Sequence, residues 1–377
     1  MRGHIRKRGR SWCVVVYVGR DPTTGKPRYK WFTHGTKKEA EAHLAQIIGQ
    51  INGGGSIPST KLRVGDFLDQ WLNDYARASV GPVTFRNYAD TIRKHLKPQL
   101  GHILVARLSP QAIQSYFSRK LDEGLSPSSV QTHYLVLHEA LHHAVRWGLI
   151  ARNPADLVDP PRRRKFEPRI WDEEQTRLFL AEAKRSSPYY ALYLTAIMTG
   201  MRQGELLGLR WQDLDLTTGV ARIHQTFYRL GGVQIFKEPK TETSKRAVAL
   251  PPAVVEELLK LRSQQDEYRR LFGSEYAQDL DLVFCQPNGK PLHGNNIVRR
   301  DFRAVIERVG LPRIRFHDLR HLHASHLARA GVPPKVAQER LGHATPTFTM
   351  RVYTHTLAGM QESAARAIED LLLGRSQ

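Results

Sequence analysis

The sequence predicts a multidomain, mainly α-helical protein with a small N-terminal β-sheet plus helix (1–52), a helical domain (60–158) and a mixed α/β domain (170–377). Runs rich in Gly, Pro, Ser or Arg interrupt the chain at 52–59 and 159–169, as interdomain linkers do. β-Branched and aromatic residues cluster on the N-terminal side of the first run, which is typical of strands. On its C-terminal side, apolar residues recur at helical steps of three and four. A length of 377 residues is enough for two or three domains.

The N-terminal part combines a strand signal with a helix signal. Trp12–Val18 and Arg28–Phe32 are rich in β-branched and aromatic residues and flank a turn-rich segment, which predicts an antiparallel pair, and Ile5 suggests an earlier strand. Thr36 is the expected N-cap of a helix that packs an apolar stripe on the sheet; the stripe consists of Ala40, Leu44, Ile47, Ile48 and Ile51. Such a basic sheet can enter a DNA major groove, and a purely structural sheet is the alternative.

The middle part shows only helical periodicity. Four apolar stripes, which begin at Phe67, Tyr88, Ile113 and Val130, predict a helical bundle. We expect the aromatic residues on these stripes to form the core rather than platforms for stacking bases. The exposed candidates for phosphate contact are Arg93, Lys94, Lys97, Arg119 and Lys120.

Two further runs of cations flank these domains. The second linker is stiffened by proline and could span about 35 Å when extended, so that two domains could grip opposite faces of DNA. The cations predicted to bind DNA phosphates are Arg6, Lys7, Arg8 and Arg10 near the first strand and Arg162, Arg163, Arg164 and Lys165 in the linker.

The third part is mainly helical with one β insert. Asp172 followed by Gln175 predicts a helix N-cap, and the segments 220–228 and 233–250 predict a small hairpin sheet. A final helix, roughly 359–373, carries an apolar stripe that could dock on a neighbouring subunit.

Composition points to a polyanionic partner. The net charge is +21, and every part of the chain has a cationic surplus, as expected for several modules on one phosphate backbone. A basic surface that merely confers solubility is the alternative. The longest apolar stretch, Tyr189–Met198, is half the roughly 20 residues of a membrane span, and no signal segment is evident. With only two cysteines, we expect a soluble cytoplasmic protein.

Three short motifs of the third part carry reactive side chains. They lie at 199–207, with Arg202 and Glu205; at 316–321, with His317 and Arg320; and at 341–353, with His343 and Tyr353. Singly, each motif has an ordinary explanation: a helical ion pair, a solvated helix edge or a core tyrosine. Together they supply two guanidiniums, two imidazoles and a phenol, which can neutralise a phosphodiester and attack it without a metal.

With these motifs in order, the sequence resembles a tyrosine recombinase of the phage-integrase kind along its whole length. The resemblance implies catalytic roles for Arg202, His317, Arg320 and His343, with Glu205 in support and Tyr353 as the nucleophile. The hairpin lysine of the family falls on Lys240, within Glu238–Arg246, and Lys237 and Lys245 compete for that role.

The resemblance also implies partners and a mechanism. Residues 1–52 would bind arm-type DNA sites, 60–158 would be the helical core-binding domain, and 170–377 the mixed α/β tyrosine-recombinase catalytic domain. A homotetramer on synapsed double-stranded DNA would act through a 3′-phosphotyrosyl intermediate, with bending or directionality factors as candidate partners. No organic cofactor, metal ion or membrane is expected.

Three other functions stay open at this point. A metal-dependent hydrolase could use His317, His321, His323 and His326, whose spacing suits zinc. A DNA-binding regulator could keep the fold without the chemistry. A type IB topoisomerase shares the phenol and arginine chemistry and would relax DNA without sequence preference.

Overall fold

In the computed structural model the chain divides into two units, residues 1–165 and 166–377. The structure describes all residues except 1–2, 10, 21–26, 53–60, 163–169, 239–244, 343–365, 367, 371 and 374–377.

The first unit begins with a three-stranded antiparallel sheet and a helix. Its elements are β1 (Gly3–Arg8), β2 (Ser11–Arg20), β3 (Pro27–His34) and α1 (Lys37–Asn52), in the sheet order β1-β2-β3. Val14 pairs with Ile5 on one side and Phe32 on the other, and this face packs on α1. The Thr36 hydroxyl accepts the Glu39 backbone N–H at 3.2 Å, which confirms the predicted cap. The strand suggested by Ile5 is also confirmed.

The rest of the first unit is helical. Trp71, Tyr116 and Phe117 are fully buried, which confirms that the aromatic stripes form the core. Two π-helical turns, Leu72–Ala76 and Ile92–Leu96, continue α2 and α4. The helices are α2 (Val64–Trp71), α3 (Arg77–Ser79), α4 (Pro82–Thr91), α5 (Lys97–Leu100), α6 (Pro110–Asp122) and α7 (Pro127–Arg146).

The second unit is mixed α/β, with one large core. Its first helix begins at the predicted cap, because the Asp172 carboxylate accepts the Gln175 N–H at 2.8 Å. The helices are α8 (Glu173–Ser186), α9 (Tyr190–Thr199), α10 (Gln203–Leu207), α11 (Pro252–Phe272), α12 (Gly294–Asn296), α13 (Arg303–Arg308), α14 (Asp318–Arg329) and α15 (Pro334–Leu341).

The β insert differs from the single hairpin that the sequence predicts. Its strands are β4 (Leu214–Asp215), β5 (Val220–Arg222), β6 (Thr226–Leu230), β7 (Val233–Lys237) and β8 (Ala247–Ala249). β6 and β7 form the hairpin, with Gly231 and Gly232 at positive φ in the turn, whereas β5 pairs with β4 and β8. Strand pairing therefore skips over the hairpin, and β8 brings Arg246 back beside β5.

The predicted final helix, roughly 359–373, lies largely outside the described residues. Residues 366, 368–370 and 372–373 are helical, and Ile368, Leu372 and Leu373 are exposed there. Among the described helices, none has both the length and the apolar character needed to cross a bilayer.

Candidate active site

A sharp corner between α9 and α10 presents the first arginine. Gly200 ends α9 with φ +66°, and a Cβ there would lie 2.6 Å from His323 Cδ2 and 2.7 Å from Leu341 Cδ2. Only glycine fits both the left-handed backbone and this close packing. The corner buries Met201 and leaves Arg202 at the N-cap position of α10.

Arg202 is partly accessible to solvent, with 36% of its side chain exposed. Its Nη1 donates to Glu205 Oε1 at 2.7 Å, and its Nη2 donates to the Gly342 carbonyl at 3.1 Å. Its backbone N–H donates to Glu205 Oε2 at 2.8 Å. One carboxylate thus fixes both the backbone and the guanidinium of Arg202.

Glu205 is 2% exposed and lies between two arginines. Arg246 Nη1 and Nη2 donate to its two oxygens at 3.1 and 2.9 Å. Burial pushes the pKa of Glu205 upward, but the hydrogen bonds and charge of Arg246, together with the charge of Arg202, lower that pKa to about 2. The carboxylate is therefore ionised at neutral pH.

Arg320 lies on α14 and is 3% exposed. Its Nη1 donates to the Gly200 carbonyl at 2.7 Å, and its Nη2 donates to the Leu341 carbonyl. Burial, followed by the charge of Arg202, lowers the pKa of Arg320 to about 9, so the guanidinium is still cationic at pH 7. Arg202 and Arg320 are thus close enough to repel each other, which favours an anion between them.

His317 immediately precedes α14 and stays accessible to solvent. Its neighbour Asp318 is buried and accepts Arg315 Nη2 at 2.7 Å, which anchors this end of the helix. Crowding by surrounding protein, followed by the charges of Arg320 and Arg315, lowers the pKa of His317. The imidazole is therefore predominantly neutral at pH 7 and can accept a proton.

Both Arg202 and Arg320 donate hydrogen bonds to carbonyls at the C-terminus of α15. The last carbonyls of a helix have no intrahelical donor and carry the negative end of its dipole, so cations stabilise them. Three successive carbonyls each accept from a different arginine: Arg340 O from Arg246 Nε (2.8 Å), Leu341 O from Arg320 Nη2, and Gly342 O from Arg202 Nη2 (3.1 Å). The residue bonded to Gly342 in the chain is His343.

The structure thus brings together four of the predicted site residues: Arg202, Glu205, His317 and Arg320. The other three, Lys240, His343 and Tyr353, lie outside the described residues. Of the lysines that compete with Lys240, Lys237 is exposed at the end of β7 and Lys245 pairs with Glu238 at 3.4 Å.

The predicted phosphate-binding cations are mostly at the surface. Arg6 lies 4.3 Å above the Trp31 ring, and Lys7, Arg8 and Arg162 are exposed. In the helical part Arg93 and Lys94 pair with Asp90, and Lys97 pairs with Asp69. Four further predicted cations, Arg10, Arg163, Arg164 and Lys165, lie outside the described residues.

The prediction for Lys120 was wrong. This lysine is 6% exposed, because it packs into the core face of α6, and its Nζ donates to Glu123 at 2.6 Å. Arg119 beside it remains exposed and contacts Gln99. Of this neighbouring pair, only Arg119 has an exposed side chain for phosphate contact.

Sequence reasoning missed the supporting role of three residues in this site: Arg246, Arg340 and His323. Side chains two residues apart along a strand point to the same face. Val248 and Leu250 are buried, so this alternation could have predicted that the Arg246 side chain also points into the protein. Arg340 gave no comparable local signal. Its Nε donates to His323 Nε2 at 3.1 Å, across 17 residues of chain.

The histidines of α14 do not have the arrangement of a zinc site. His323 Nδ1 donates to the Ile197 carbonyl at 2.9 Å, and its Nε2 accepts from Arg340, so both ring nitrogens are engaged. His326 lies 3.6 Å from Glu173. In the part of the chain that the structure describes, no group of three or more His, Cys, Asp or Glu side chains could hold a metal ion.

Two arginines that converge beside a neutral histidine have the charge and the hydrogen-bond donors that binding of a phosphate group requires. Comparisons with known proteins agree with this class. Residues 169–359 match the Phage integrase family, residues 64–121 match the Phage integrase N-terminal SAM-like domain, and residues 4–51 match the Arm DNA-binding domain.

Relatives match over nearly the full length. The chain is 30% identical to a tyrosine recombinase XerC-like protein of Caldanaerobacter subterraneus subsp. tengcongensis over 387 aligned positions, which cover 97% of this chain and 98% of the relative. It is 26% identical to the ICEBs1 integrase of Bacillus subtilis over 365 positions, which cover 96% and 98%. The chain belongs to the phage integrase family of tyrosine recombinases and is a site-specific DNA recombinase.

Solved structures share the fold. The Tn1549 transposon integrase in complex with a circular intermediate DNA superposes with a TM-score of 0.70 at 22% identity, covering 81% of this chain and 100% of the other. A lambda integrase dimer bound to a COC′ core site gives a TM-score of 0.58 at 21% identity, covering 93% and 94%. The mainly helical fold with small antiparallel sheets is confirmed.

Proposed function

We propose that this recombinase breaks and rejoins DNA through a 3′-phosphotyrosyl bond to Tyr353, and that it thereby integrates or excises a mobile element. The observation that carries the proposal is the convergence of Arg202 and Arg320 on the last carbonyls of α15. This point is one residue before His343 and eleven before Tyr353 in the chain.

The two arginines would bind the non-bridging oxygens of the scissile phosphate. Arg202 is partly exposed and Arg320 is held from behind by two carbonyls, so both are preorganised for an anion and need little rearrangement. His343 would add a hydrogen bond to the same phosphate. Neutralised in this way, the phosphate no longer repels an incoming oxygen nucleophile.

In the cleavage step the Tyr353 hydroxyl oxygen attacks phosphorus, and the bond from phosphorus to the 5′-oxygen breaks. A tyrosine hydroxyl has an ordinary pKa near 10 and therefore needs a proton acceptor. His317 is the acceptor that we propose, because its lowered pKa keeps it neutral. Lys240 would protonate the departing 5′-oxygen, and attack by another 5′-hydroxyl reverses the step and rejoins DNA without a net loss of ester bonds.

The N-terminal sheet is proposed to bind arm-type DNA through the face opposite α1. Strand alternation places Arg6, Tyr29 and Trp31 on that face, and Tyr29 and Trp31 are 52% and 48% exposed. Aromatic residues flanked by cations suit contact with a DNA groove and its phosphates. This assigns residues 1–52 to arm sites, 60–158 to core sites and 170–377 to catalysis.

Four subunits on two synapsed DNA sites are the proposed working assembly, since recombination joins four strands. A lambda integrase tetramer bound to a Holliday junction shares this fold, with a TM-score of 0.57 at 20% identity. The end of the chain after Tyr353 would exchange between subunits. The relatives are bacterial and phage proteins, so we place the enzyme in the bacterial cytoplasm, at the nucleoid.

Substitution of the nucleophile tests the proposal most directly. With a nicked suicide substrate that carries a core site, the wild-type protein should accumulate a covalent protein–DNA adduct, and Tyr353→Phe should bind the DNA but form none. Tyr228→Phe, which alters a half-exposed tyrosine on β6, is the matched control and should form adduct at the wild-type rate. Adduct formation by Tyr353→Phe would overturn the assignment.

The general acid can be identified with a 5′-bridging phosphorothiolate substrate. Its sulfur leaves as a thiolate, which needs no proton, so the loss of a general acid matters little. Lys240→Ala should slow cleavage of normal DNA on the order of 10²–10⁴-fold and cleave the sulfur substrate near the wild-type rate. If Lys237→Ala or Lys245→Ala shows that pattern instead, the acid is not Lys240.

A further inference from the structure

We propose that Arg246 is a positioning residue for DNA cleavage, which sets the direction of the Arg202 guanidinium by linking Glu205 to the Arg340 carbonyl at the C-terminus of α15. The proposal rests on the assignment of Arg202 to the scissile phosphate. It adds a residue outside the predicted catalytic set, which lies immediately before strand β8 of the β insert.

Arg246 is built into the protein and does not face solvent. Only 6% of its side chain is exposed. Its Nη1 and Nη2 form a fork on the two oxygens of Glu205 at 3.1 and 2.9 Å, and its Nε donates to the Arg340 carbonyl at 2.8 Å. With three nitrogens engaged at protein acceptors, Arg246 is placed to orient its neighbours rather than to bind DNA.

Glu205 transmits this orientation to Arg202. Its Oε1 accepts from both Arg202 Nη1 and Arg246 Nη1, and its Oε2 accepts from both the Arg202 backbone N–H and Arg246 Nη2. Without Arg246 the carboxylate would keep two of these four bonds and could rotate about its terminal torsion. Arg202, which is one-third exposed, would rotate with it and lose its alignment.

Arg246 is also connected to α15, through its hydrogen bond to the Arg340 carbonyl. Arg340, whose carbonyl Arg246 binds, sends its own Nη2 to the Met198 and Ala249 carbonyls at 3.0 Å each. β8, α9 and the end of α15 are thereby connected around one buried point. A displacement of β8 would therefore reach Arg202 through Arg246 and the carbonyls of α15.

Lysine cannot replace this arginine. A lysine ammonium is a point charge without the planar fork, so it can approach Glu205 but cannot bind both carboxylate oxygens and the Arg340 carbonyl in the same geometry. Lysine at this position would keep the positive charge beside Glu205, but the orientation of the Glu205 carboxylate and of Arg202 would be lost. Arg246→Lys therefore separates the positioning role from simple charge balance.

The test compares Arg246→Gln and Arg246→Lys with Arg210→Gln. Arg210 is the matched control, because it also donates two hydrogen bonds to a buried carboxylate, with Nε and Nη2 2.8 and 3.0 Å from Asp213. Single-turnover cleavage of the suicide substrate, the DNA Kd and the Tm are measured for each variant. All three variants should lose Tm and keep the DNA Kd of the wild-type protein.

Cleavage should distinguish them. We expect a loss on the order of 100-fold for Arg246→Gln, as for a misplaced reacting group, a smaller loss for Arg246→Lys and the wild-type rate for Arg210→Gln. If Arg246→Gln cleaves as fast as the wild-type protein, or if Arg210→Gln is equally slow, the positioning role is excluded. A wild-type protein that forms no adduct would instead refute the proposed function.

The pH profile provides a readout that a merely structural role would not change. Glu205 is faced by Arg202 on its own corner, Arg246 at β8 and Arg320 on α14. Without Arg246, burial raises the pKa of Glu205, so the cleavage rate of Arg246→Gln should show a fall at acidic pH in addition to the fall that protonation of His317 causes in both proteins. Arg246→Gln combined with Glu205→Gln should lose that additional fall, and its persistence would contradict the proposal.

Discussion

The cations of the candidate active site and those of the helical part of the first unit are held in opposite ways. Arg320 and Arg246 expose 3% and 6% and donate to carbonyls or to a buried carboxylate. Arg93 and Lys94 expose 74% and 55% of their side chains and share one surface carboxylate, Asp90. The first group is fixed by several partners, and the second by one exchangeable partner.

This difference distinguishes cations that fix the geometry of the candidate active site from cations that contribute to DNA affinity. A surface ion pair contributes about 0–1 kcal/mol, so DNA phosphate can replace Asp90 as a partner at little cost. Breaking a buried pair costs about 3–5 kcal/mol, because the remaining charge stays buried. We therefore expect changes in the catalytic site to alter the rate of cleavage, and changes on the helical surface to alter binding.

The largest effect in this comparison should come from Arg320. Arg320→Ala removes a preorganised donor from the developing phosphate charge, and such a loss costs about 10²–10³ in rate. Single-turnover cleavage at saturating DNA measures it. Arg329→Ala is the matched control, because Arg329 lies on the same helix, is 48% exposed and pairs with Glu173. Equal rates for the two variants would remove Arg320 from the site.

An intermediate effect is expected on the stability of the fold at acidic pH. Both units should lose stability in acid, because each contains a buried histidine with a lowered pKa. Burial, followed by the charges of His95 and Lys120, lowers the pKa of His133 to about 4, and burial, followed by the charge of Arg340, lowers that of His323 to about 3. Below pH 6.5 the unfolded chain binds protons that the folded chain does not, so stability is full above pH 6.5 and falls as the pH drops toward 4.

Each histidine should contribute roughly 1.4 kcal/mol per pH unit to this loss in the free energy of unfolding. Urea unfolding at pH 7, 6 and 5 measures it for the wild-type protein and for His133→Gln. The glutamine variant should show a shallower pH dependence. Identical slopes for the two proteins would mean that His133 is protonated in the folded state.

The smallest effect should come from the helical surface. Arg93→Gln and Lys94→Gln should each weaken DNA binding a few-fold and reduce the salt slope by about one, without changing cleavage at saturating DNA. Fluorescence anisotropy across a salt series measures both quantities. Arg269→Gln, which alters a surface pair on α11, should change neither. A cleavage defect in Arg93→Gln at saturating DNA would contradict the expectation that the helical surface affects only DNA binding.

Several features were predictable because their signals are local. The cap at Thr36, the cap at Asp172 and the aromatic core around Trp71 follow from neighbouring residue types and from helical spacing. The motifs with reactive side chains were predictable because each is a short run. That Arg202 and Arg320 lie in one site could be expected only from the resemblance.

Two wrong predictions have one physical cause. Lys120 was expected at the surface from its type, but the packing of α6 buries it beside Glu123. The β insert was expected to form one hairpin, but β5 pairs with β8 across the nested β6–β7 hairpin. In both cases contacts with distant residues overrode the local pattern.

The sequence by itself determined the secondary elements, their caps and the types of side chain available for phosphate chemistry, since periodicity and capping act within a few residues. Only the tertiary structure decided that Arg246, Arg320 and Arg202 share three successive carbonyls of α15. Those donors and acceptors are 94, 21 and 140 residues apart in the chain. These hydrogen bonds depend on which backbone carbonyls have no other donor in the folded protein.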